Sequence, residues 1–125
     1  MNTHKLKEKA DKKWRTQGKE NAKCEVCEFL RTNFNYTQLH PHHVVGRKNK
    51  RLRWELKNRC WLCPTHHTLG NQSAHNDSKW FEEIFCQFRK DDWNYCQKAK
   101  KEIVKCNIMY LEEVLCLLEN GKNTD

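Results

Sequence analysis

Residues 39–75, LHPHHVVGRKNKRLRWELKNRCWLCPTHHTLGNQSAH, concentrate the metal-binding side chains of this sequence. They hold six of its seven histidines and two of its eight cysteines, among many arginines and lysines. Imidazole and thiolate are ligands that borderline divalent metals prefer. The guanidinium and ammonium groups around them suit a polyanion such as phosphate. The stretch therefore predicts a metal site in basic surroundings.

The chain around this stretch is short and polar. Its 125 residues predict one domain, and with 37% hydrophobic and 32% charged residues its apolar core should be modest. Bound metal ions would supplement such a core. The net charge of +8 favours nucleic acid over a neutral small molecule as partner, although a merely soluble basic surface gives the same count.

The first residues, MNTHKLKEKADKKWR, contain no apolar segment of the length that a secretory signal requires. We therefore expect a soluble cytoplasmic protein in a reducing compartment, where paired cysteines indicate zinc ligation rather than disulfides. No run approaches the roughly twenty apolar residues of a membrane span, so no membrane partner is expected.

Two short turns carry the cysteines of a predicted zinc site. The first is CEVC, with Cys24 and Cys27, and the second is CPTHH, which follows β-type sequence ending in Cys60, Trp61 and Leu62. Such knuckles are typical of a structural tetrahedral zinc ion. Two ligand sets are open: Cys24, Cys27, Cys63 and His66, or Cys24, Cys27, Cys60 and Cys63. Alternation along the strand buries Cys60 beside Leu62 and favours the first set, with Cys60 as the alternative ligand.

Four histidines remain outside both sets: His42, His43, His67 and His75. Adjacent strand residues point to opposite faces, so His42 and His43 cannot have the same role. His67, facing His42 across a hairpin, would hold a second ion with one coordination position open to substrate, as metal-assisted hydrolysis requires. His43, neutral near pH 7, has the basicity to take a proton from water.

A cationic loop separates the two predicted strands. It carries five cations in eight residues, namely Arg47, Lys48, Lys50, Arg51 and Arg53. Beside a metal site, such a loop is interpreted as an arm that contacts DNA phosphates. The alternative is an ordinary solvated loop.

Periodicity predicts helices on both sides of a hairpin formed by strands at residues 42–45 and 58–62. Residues 1–22 should form a basic helix, loosely docked or frayed, whose only apolar face is Leu6, Ala10 and Trp14.

After the hairpin, Ser78 is the expected N-cap of a helix that ends at the RKDD cluster. A single last helix is expected from about Asp92 to Glu119. Residues 120–125 should be a disordered tail.

The order Cys-x-x-Cys, His-His, Asn, then Leu-Cys-x-x-His-His resembles the HNH endonucleases, also called ββα-metal nucleases. HHVVGRKNKRLRW, NRCWLCPTHH and GNQSAH are similar to segments of small zinc-bearing HNH nucleases of phages and prophages. The resemblance covers about residues 24–93. It implies an α+β fold with a ββα-metal core that a structural zinc ion stabilises. This core would occupy residues 23–92, with a basic helix or arm at 1–22 before it and a C-terminal helix at 93–119 after it.

The resemblance also implies roles for individual residues. His43 would be the general base, and Asn58 would fix the hairpin so that His43 presents the correct nitrogen. His42 and His67 would bind the catalytic divalent ion, with His75 as a third ligand. His42 stands where many relatives have Asp, which favours Mn²⁺, Ni²⁺ or Zn²⁺ over Mg²⁺. His40 matches no family role.

The implied activity is metal-dependent DNA cleavage with low sequence specificity, leaving a 5′-phosphate and a 3′-hydroxyl. The protein would be phage- or prophage-encoded and act in the bacterial cytoplasm, with its C-terminal helix free to mediate a homodimer or a larger phage assembly. Two alternatives remain. One is a zinc-ribbon module that binds nucleic acid without cutting it, and the other is an accessory subunit of a phage recombination or packaging machine.

Overall fold

The computed structural model describes residues 2–123, and within them the chain forms helices around one small antiparallel hairpin. The elements in chain order are α1 (Thr3–Thr16), α2 (Glu25–Leu30), β1 (His40–His43), β2 (Arg59–Leu62), α3 (Ser78–Phe88), α4 (Lys90–Ala99) and α5 (Ile108–Glu119). Short 3-10 turns occupy Lys19–Asn21 and Leu56–Asn58, and a π-helical turn occupies Thr65–Leu69. The predicted α+β class is confirmed at this level.

The hairpin places histidines on both of its faces. His42 pairs with Cys60 and His43 pairs with Arg59. His40 and His42 share one face of β1, and His43 points to the other, as strand alternation requires. β1 spans His40–His43 instead of the expected residues 42–45. It ends at His43 because the following residues enter a loop, in which the Val45 amide donates to the Asn58 side chain.

The core beside the hairpin is built by α3. Phe81 and Phe85 are buried against Leu62 and the cysteines of the first knuckle. Arg89, at the end of α3, donates from Nη1 to Glu25 Oε1 at 2.7 Å and to the Arg59 carbonyl at 2.8 Å. α3 is thereby tied to both α2 and β2.

α1 is firmly docked, so the expectation of a loose or frayed helix was wrong. The helical spacing that gives α1 one apolar face also lets that face pack on α5. The buried residues are Leu6, Ala10 and Trp14 of α1 and Leu111, Val114 and Leu118 of α5. The Trp14 indole donates to the Glu55 carbonyl at 2.8 Å, and Arg59 donates to the Trp14 carbonyl at 2.7 Å. These hydrogen bonds fix α1 directly against the hairpin and the residues just before β2.

The single C-terminal helix expected from Asp92 to Glu119 is two helices. α4 ends at Ala99, and α5 begins after Asn107, whose side-chain oxygen accepts from the Tyr110 amide at 2.9 Å as an N-cap. Ile103, which the periodicity places on the apolar stripe, lies in the extended link and is 98% exposed.

Residues 120–123 make defined contacts, unlike the expected disordered tail. The Lys122 amide donates to the Leu117 carbonyl at 2.8 Å, and Asn123 accepts from the Lys57 amide at 2.9 Å. The last two positions of that expected tail, 124 and 125, lie outside the described residues. Across positions 2–123, none of the helices combines the length and apolar character needed to cross a bilayer.

Candidate metal centres

The first candidate centre joins the start of α2 to the end of β2. Cys24 is the N-cap of α2 and Cys27 lies in its first turn, while Cys63 directly follows β2 and His66 lies in the turn after it. The amides of Cys27 and His66 donate to the Cys24 and Cys63 sulfurs at 3.4 and 3.5 Å. Both knuckles are therefore folded around their sulfur atoms, and all four side chains are buried.

The spacing of these four ligand atoms fits a tetrahedral ion. His66 Nδ1 lies 3.6, 3.4 and 3.6 Å from the sulfurs of Cys24, Cys27 and Cys63, and the Cys27 and Cys63 sulfurs are 3.8 Å apart. Zinc bonds of about 2.3 Å to sulfur and 2.0–2.1 Å to nitrogen give tetrahedral edges of about 3.8 Å and about 3.6 Å. The buried group could thus hold a metal ion such as zinc.

The protonation states of this group make metal binding depend on pH. Burial raises the pKa of Cys24 to about 12 and also raises the pKa of Cys63, so both thiols stay protonated at neutral pH unless a cation binds. Burial lowers the pKa of His66, which keeps its imidazole neutral and able to act as a ligand. Since binding releases the thiol protons, metal affinity should rise with pH.

Cys60 does not belong to this group. It is fully buried in the apolar core, its pKa is raised well above the usual value by burial, and it pairs with His42 across the hairpin. The preference for His66 over Cys60, drawn from strand alternation, agrees with the structure.

The second candidate centre is a cluster of three histidines. His42 comes from β1, His67 from the π-helical turn, and His75 from the loop before α3. One ligand nitrogen of each lies within 4.8 Å of the others. The Nε2 atoms of His67 and His75 are 3.0 Å apart. The three histidines that the resemblance implied as ligands of one ion lie together in the structure.

Backbone hydrogen bonds bring His75 to the other two. The amides of Ala74 and His75 donate to the carbonyls of His66 and His67 at 2.8 and 3.1 Å. Asn76 then donates to the Thr68 and Gly70 carbonyls at 2.8 Å each. The loop 70–77 is thereby folded back over the turn that carries His67.

Two of the three imidazoles, those of His42 and His67, are neutral at physiological pH. Burial, then the nearby imidazoles of His67 and His75, lower the pKa of His42 to about 3. Burial and His75 likewise lower the pKa of His67 to about 4. Neutral imidazole is the form that binds metals. His75 is exposed while His42 and His67 are half-buried, so the cluster opens to solvent.

His43 lies on the opposite face of β1, against α1. Its ring stacks on Trp14 with centroids 3.8 Å apart and planes inclined by 8°. Nε2 lies 2.9 Å from the Arg53 carbonyl, which accepts its proton, and Nδ1 has no hydrogen-bond partner among residues 2–123. Burial, together with the charges of Arg47 and Arg53, lowers the pKa of His43 against opposing effects of that hydrogen bond and of Asp11. At neutral pH, Nδ1 is therefore an unprotonated acceptor.

Asn58 locks the loop that orients His43. Fully buried, it accepts from the Val45 amide at 2.7 Å and donates to the carbonyls of Val45 and Leu52 at 2.9 and 3.0 Å. These bonds hold both ends of the loop that runs from Val45 to Leu52. Leu52 directly precedes Arg53, whose carbonyl accepts from the His43 ring.

Two of the five cations expected to contact DNA are engaged inside the protein. Arg51 donates to Glu55 at 2.6 Å and to Glu102 at 2.8 Å, and Arg53 forms a two-pronged pair with Asp11 at 3.0 and 2.7 Å. Their side chains are only 11% and 10% exposed, so they stabilise the loop instead of projecting from it.

The other three cations of the loop are more accessible. Arg47 and Lys48 are exposed, and Lys50 is half-buried. The loop can therefore present a smaller cationic surface than its composition suggests.

Two residues beside the candidate centres were not identified from the sequence. Trp14 was recognised as apolar, but nothing in its spacing indicates that it would reach His43. His40 was given no role, yet its Nδ1 lies 2.9 Å from His67 Nδ1. Its position two residues before His42 in a strand, which puts both on one face, was the available signal.

Comparisons with protein-family models, with curated proteins and with solved structures found no significant match to this chain.

Proposed function

We propose that this protein is a metal-dependent DNA endonuclease of the HNH type, which hydrolyses phosphodiester bonds to leave a 5′-phosphate and a 3′-hydroxyl. One observation carries the proposal: His42, His67 and His75 converge at a solvent-accessible position of the hairpin. Catalytic zinc-type sites use three protein ligands and keep a position open, whereas structural sites are closed by four. Residues 2–123 contain one buried group of four candidate ligands and one more open group of three, which supports this division of roles.

The three imidazoles would hold one divalent ion. When bound, such an ion would offset the charge that develops on the phosphate and on the leaving 3′ oxygen. A ligand set of neutral nitrogens favours Mn²⁺, Ni²⁺ or Zn²⁺ over Mg²⁺. The buried Cys24, Cys27, Cys63 and His66 group would hold a separate zinc ion that joins α2 to the hairpin.

His43 would act as the general base. It directly follows His42 at the end of β1, so its backbone adjoins that of a proposed metal ligand. Its Nε2 proton is committed to the Arg53 carbonyl, so Nδ1 is the nitrogen that would take a proton from the attacking water. Asn58 and Trp14 hold the ring in this orientation.

Affinity for DNA would come mainly from phosphate contacts. The net charge of +8 and the exposed Arg47 and Lys48 support a polyanionic substrate. Phosphate contacts carry no direct sequence information, so cleavage should have low sequence specificity and should weaken steeply with salt.

The proposal predicts nicking of supercoiled plasmid DNA in the presence of Mn²⁺, Ni²⁺ or Zn²⁺. His67→Ala should reduce the nicking rate by at least about 100-fold, because it removes a central ligand of the ion. His4→Ala is the matched control, since His4 is an exposed histidine of α1 that pairs with Glu8, and it should cut at the wild-type rate.

Absence of nicking by the wild-type protein with every divalent ion, at protein concentrations that shift the DNA in a gel, would overturn the proposal. That result would instead favour a zinc-stapled module that binds nucleic acid without cutting it.

A further inference from the structure

His40 shares a face of β1 with His42 and approaches the histidine cluster from behind His67. Its ring centroid is 5.0 Å from that of His67, and the two Nδ1 atoms are 2.9 Å apart. The other nitrogen of His67, Nε2, faces His75 at 3.0 Å. The two nitrogens of His67 therefore point to different neighbours.

The chemistry of imidazole assigns these two nitrogens different tasks. A neutral ring carries one proton, so the nitrogen that binds a metal must be the unprotonated one. Nε2 of His67 is the nitrogen that faces His75, another member of the converging group, so we assign Nε2 as the ligand atom, which leaves the proton on Nδ1. A partly buried N–H is stabilised by an acceptor, and His40 Nδ1 is within hydrogen-bond distance of it.

We propose that His40 is a positioning residue of the histidine cluster: its Nδ1 accepts the Nδ1 proton of His67 and so holds His67 Nε2 toward the ion. The inference rests on the proposed ion site at His42, His67 and His75, but it does not require that the site cuts DNA. Partners of this kind orient metal-binding histidines and raise their basicity.

The arrangement of the strands explains why His40 can do this. β1 pairs His40 with Leu62, whose side chain is fully buried in the core. The His40 backbone is therefore fixed relative to the turn that begins just after β2 and carries His67. His40 itself is not among the three side chains whose ligand atoms converge, which separates its role from that of a ligand.

The test is titration of Mn²⁺ into the full-length zinc-loaded chain, followed by calorimetry. His40→Ala should weaken Mn²⁺ affinity by about 10- to 100-fold while the zinc content stays unchanged. His40→Asn, whose side-chain carbonyl can accept the same proton, should recover part of that loss. The control His4→Ala should bind Mn²⁺ as the wild type does.

Nitrogen-15 NMR of the histidine rings provides a readout that a purely structural role would not change. Wild type should show His67 protonated at Nδ1, and His40→Ala should show a mixture of the two tautomers. Unchanged Mn²⁺ affinity in His40→Ala would make His40 a bystander, and complete loss of binding, equal to that of His42→Ala, would make it a ligand. Either result overturns the proposal, as does a wild type that binds no second ion. If Mn²⁺ binding depends on His40 as described while no DNA is cut, only the nuclease proposal fails.

Discussion

Cys63→Ala is expected to abolish zinc binding and to unfold the chain. Structural zinc sites contribute about 10–16 kcal/mol of apparent binding free energy, whereas whole domains are stable by only about 5–15 kcal/mol. Cys63 is also the ligand that links the hairpin to the first knuckle, through its contact with Cys27 at 3.8 Å. With 37% hydrophobic residues, the chain has little apolar core to replace that link. Zinc content by elemental analysis and helical signal by circular dichroism measure both effects.

Cys60→Ala is the matched control for this experiment. Cys60 lies three positions earlier on β2 and is as fully buried as Cys63, but it points into the apolar core. Its loss should cost roughly 1 kcal/mol and leave one zinc ion bound. Zinc loss in Cys60→Ala together with zinc retention in Cys63→Ala would contradict the ligand set.

His43→Ala is expected to lower the rate of plasmid nicking at saturating Mn²⁺ by about 100- to 10,000-fold, the usual range for a lost general base. Affinity for Mn²⁺ should stay close to that of the wild type, because His43 faces away from the three-histidine cluster. A rate that falls while the affinity holds separates proton transfer from ion binding. The initial rate on supercoiled plasmid and a calorimetric Mn²⁺ titration measure the two quantities.

Added imidazole provides a second test of the role of His43 as the general base. Removing the ring opens a slot against the face of Trp14, 3.8 Å from the original centroid, in which free imidazole can stack. The nicking rate of His43→Ala should therefore rise with imidazole concentration, while that of His67→Ala should not. Undiminished nicking by His43→Ala would show that another group takes the proton.

Local sequence patterns identified most of the residues in the two candidate metal groups, and the resemblance to HNH nucleases added His75. The knuckle spacing places pairs of ligands on single turns, and strand alternation separates Cys60 from Cys63 and His42 from His43. These inferences need only the geometry of a few consecutive residues. They are accordingly the ones with which the structure agrees most closely.

The inferences that failed depended on distant partners. A run of arginines predicts an exposed arm, but Arg53 meets Asp11 of α1 and Arg51 meets Glu102 beyond α4. Neither carboxylate can be identified from the loop itself, because ion pairing across more than forty positions follows from packing. The stacking of Trp14 on His43 and the contact of His40 with His67 also follow from packing between distant parts of the chain, so the local sequence does not reveal them.

Helix boundaries in the C-terminal third show a further limit. The apolar repeat continues through Ile103, yet the helix is interrupted between Ala99 and Ile108, and Asn107 caps the new helix that follows. Asn is a favoured N-cap, so the signal was present, but a cap competes with periodicity and only packing decides between them.

Anomalous diffraction from crystals soaked in Mn²⁺ tests the central claim most directly, because it locates zinc and manganese separately. The account predicts a zinc peak enclosed by Cys24, Cys27, Cys63 and His66, and a distinct manganese peak bound by His42, His67 and His75. A zinc peak with no ion among the three histidines at saturating Mn²⁺ would contradict it.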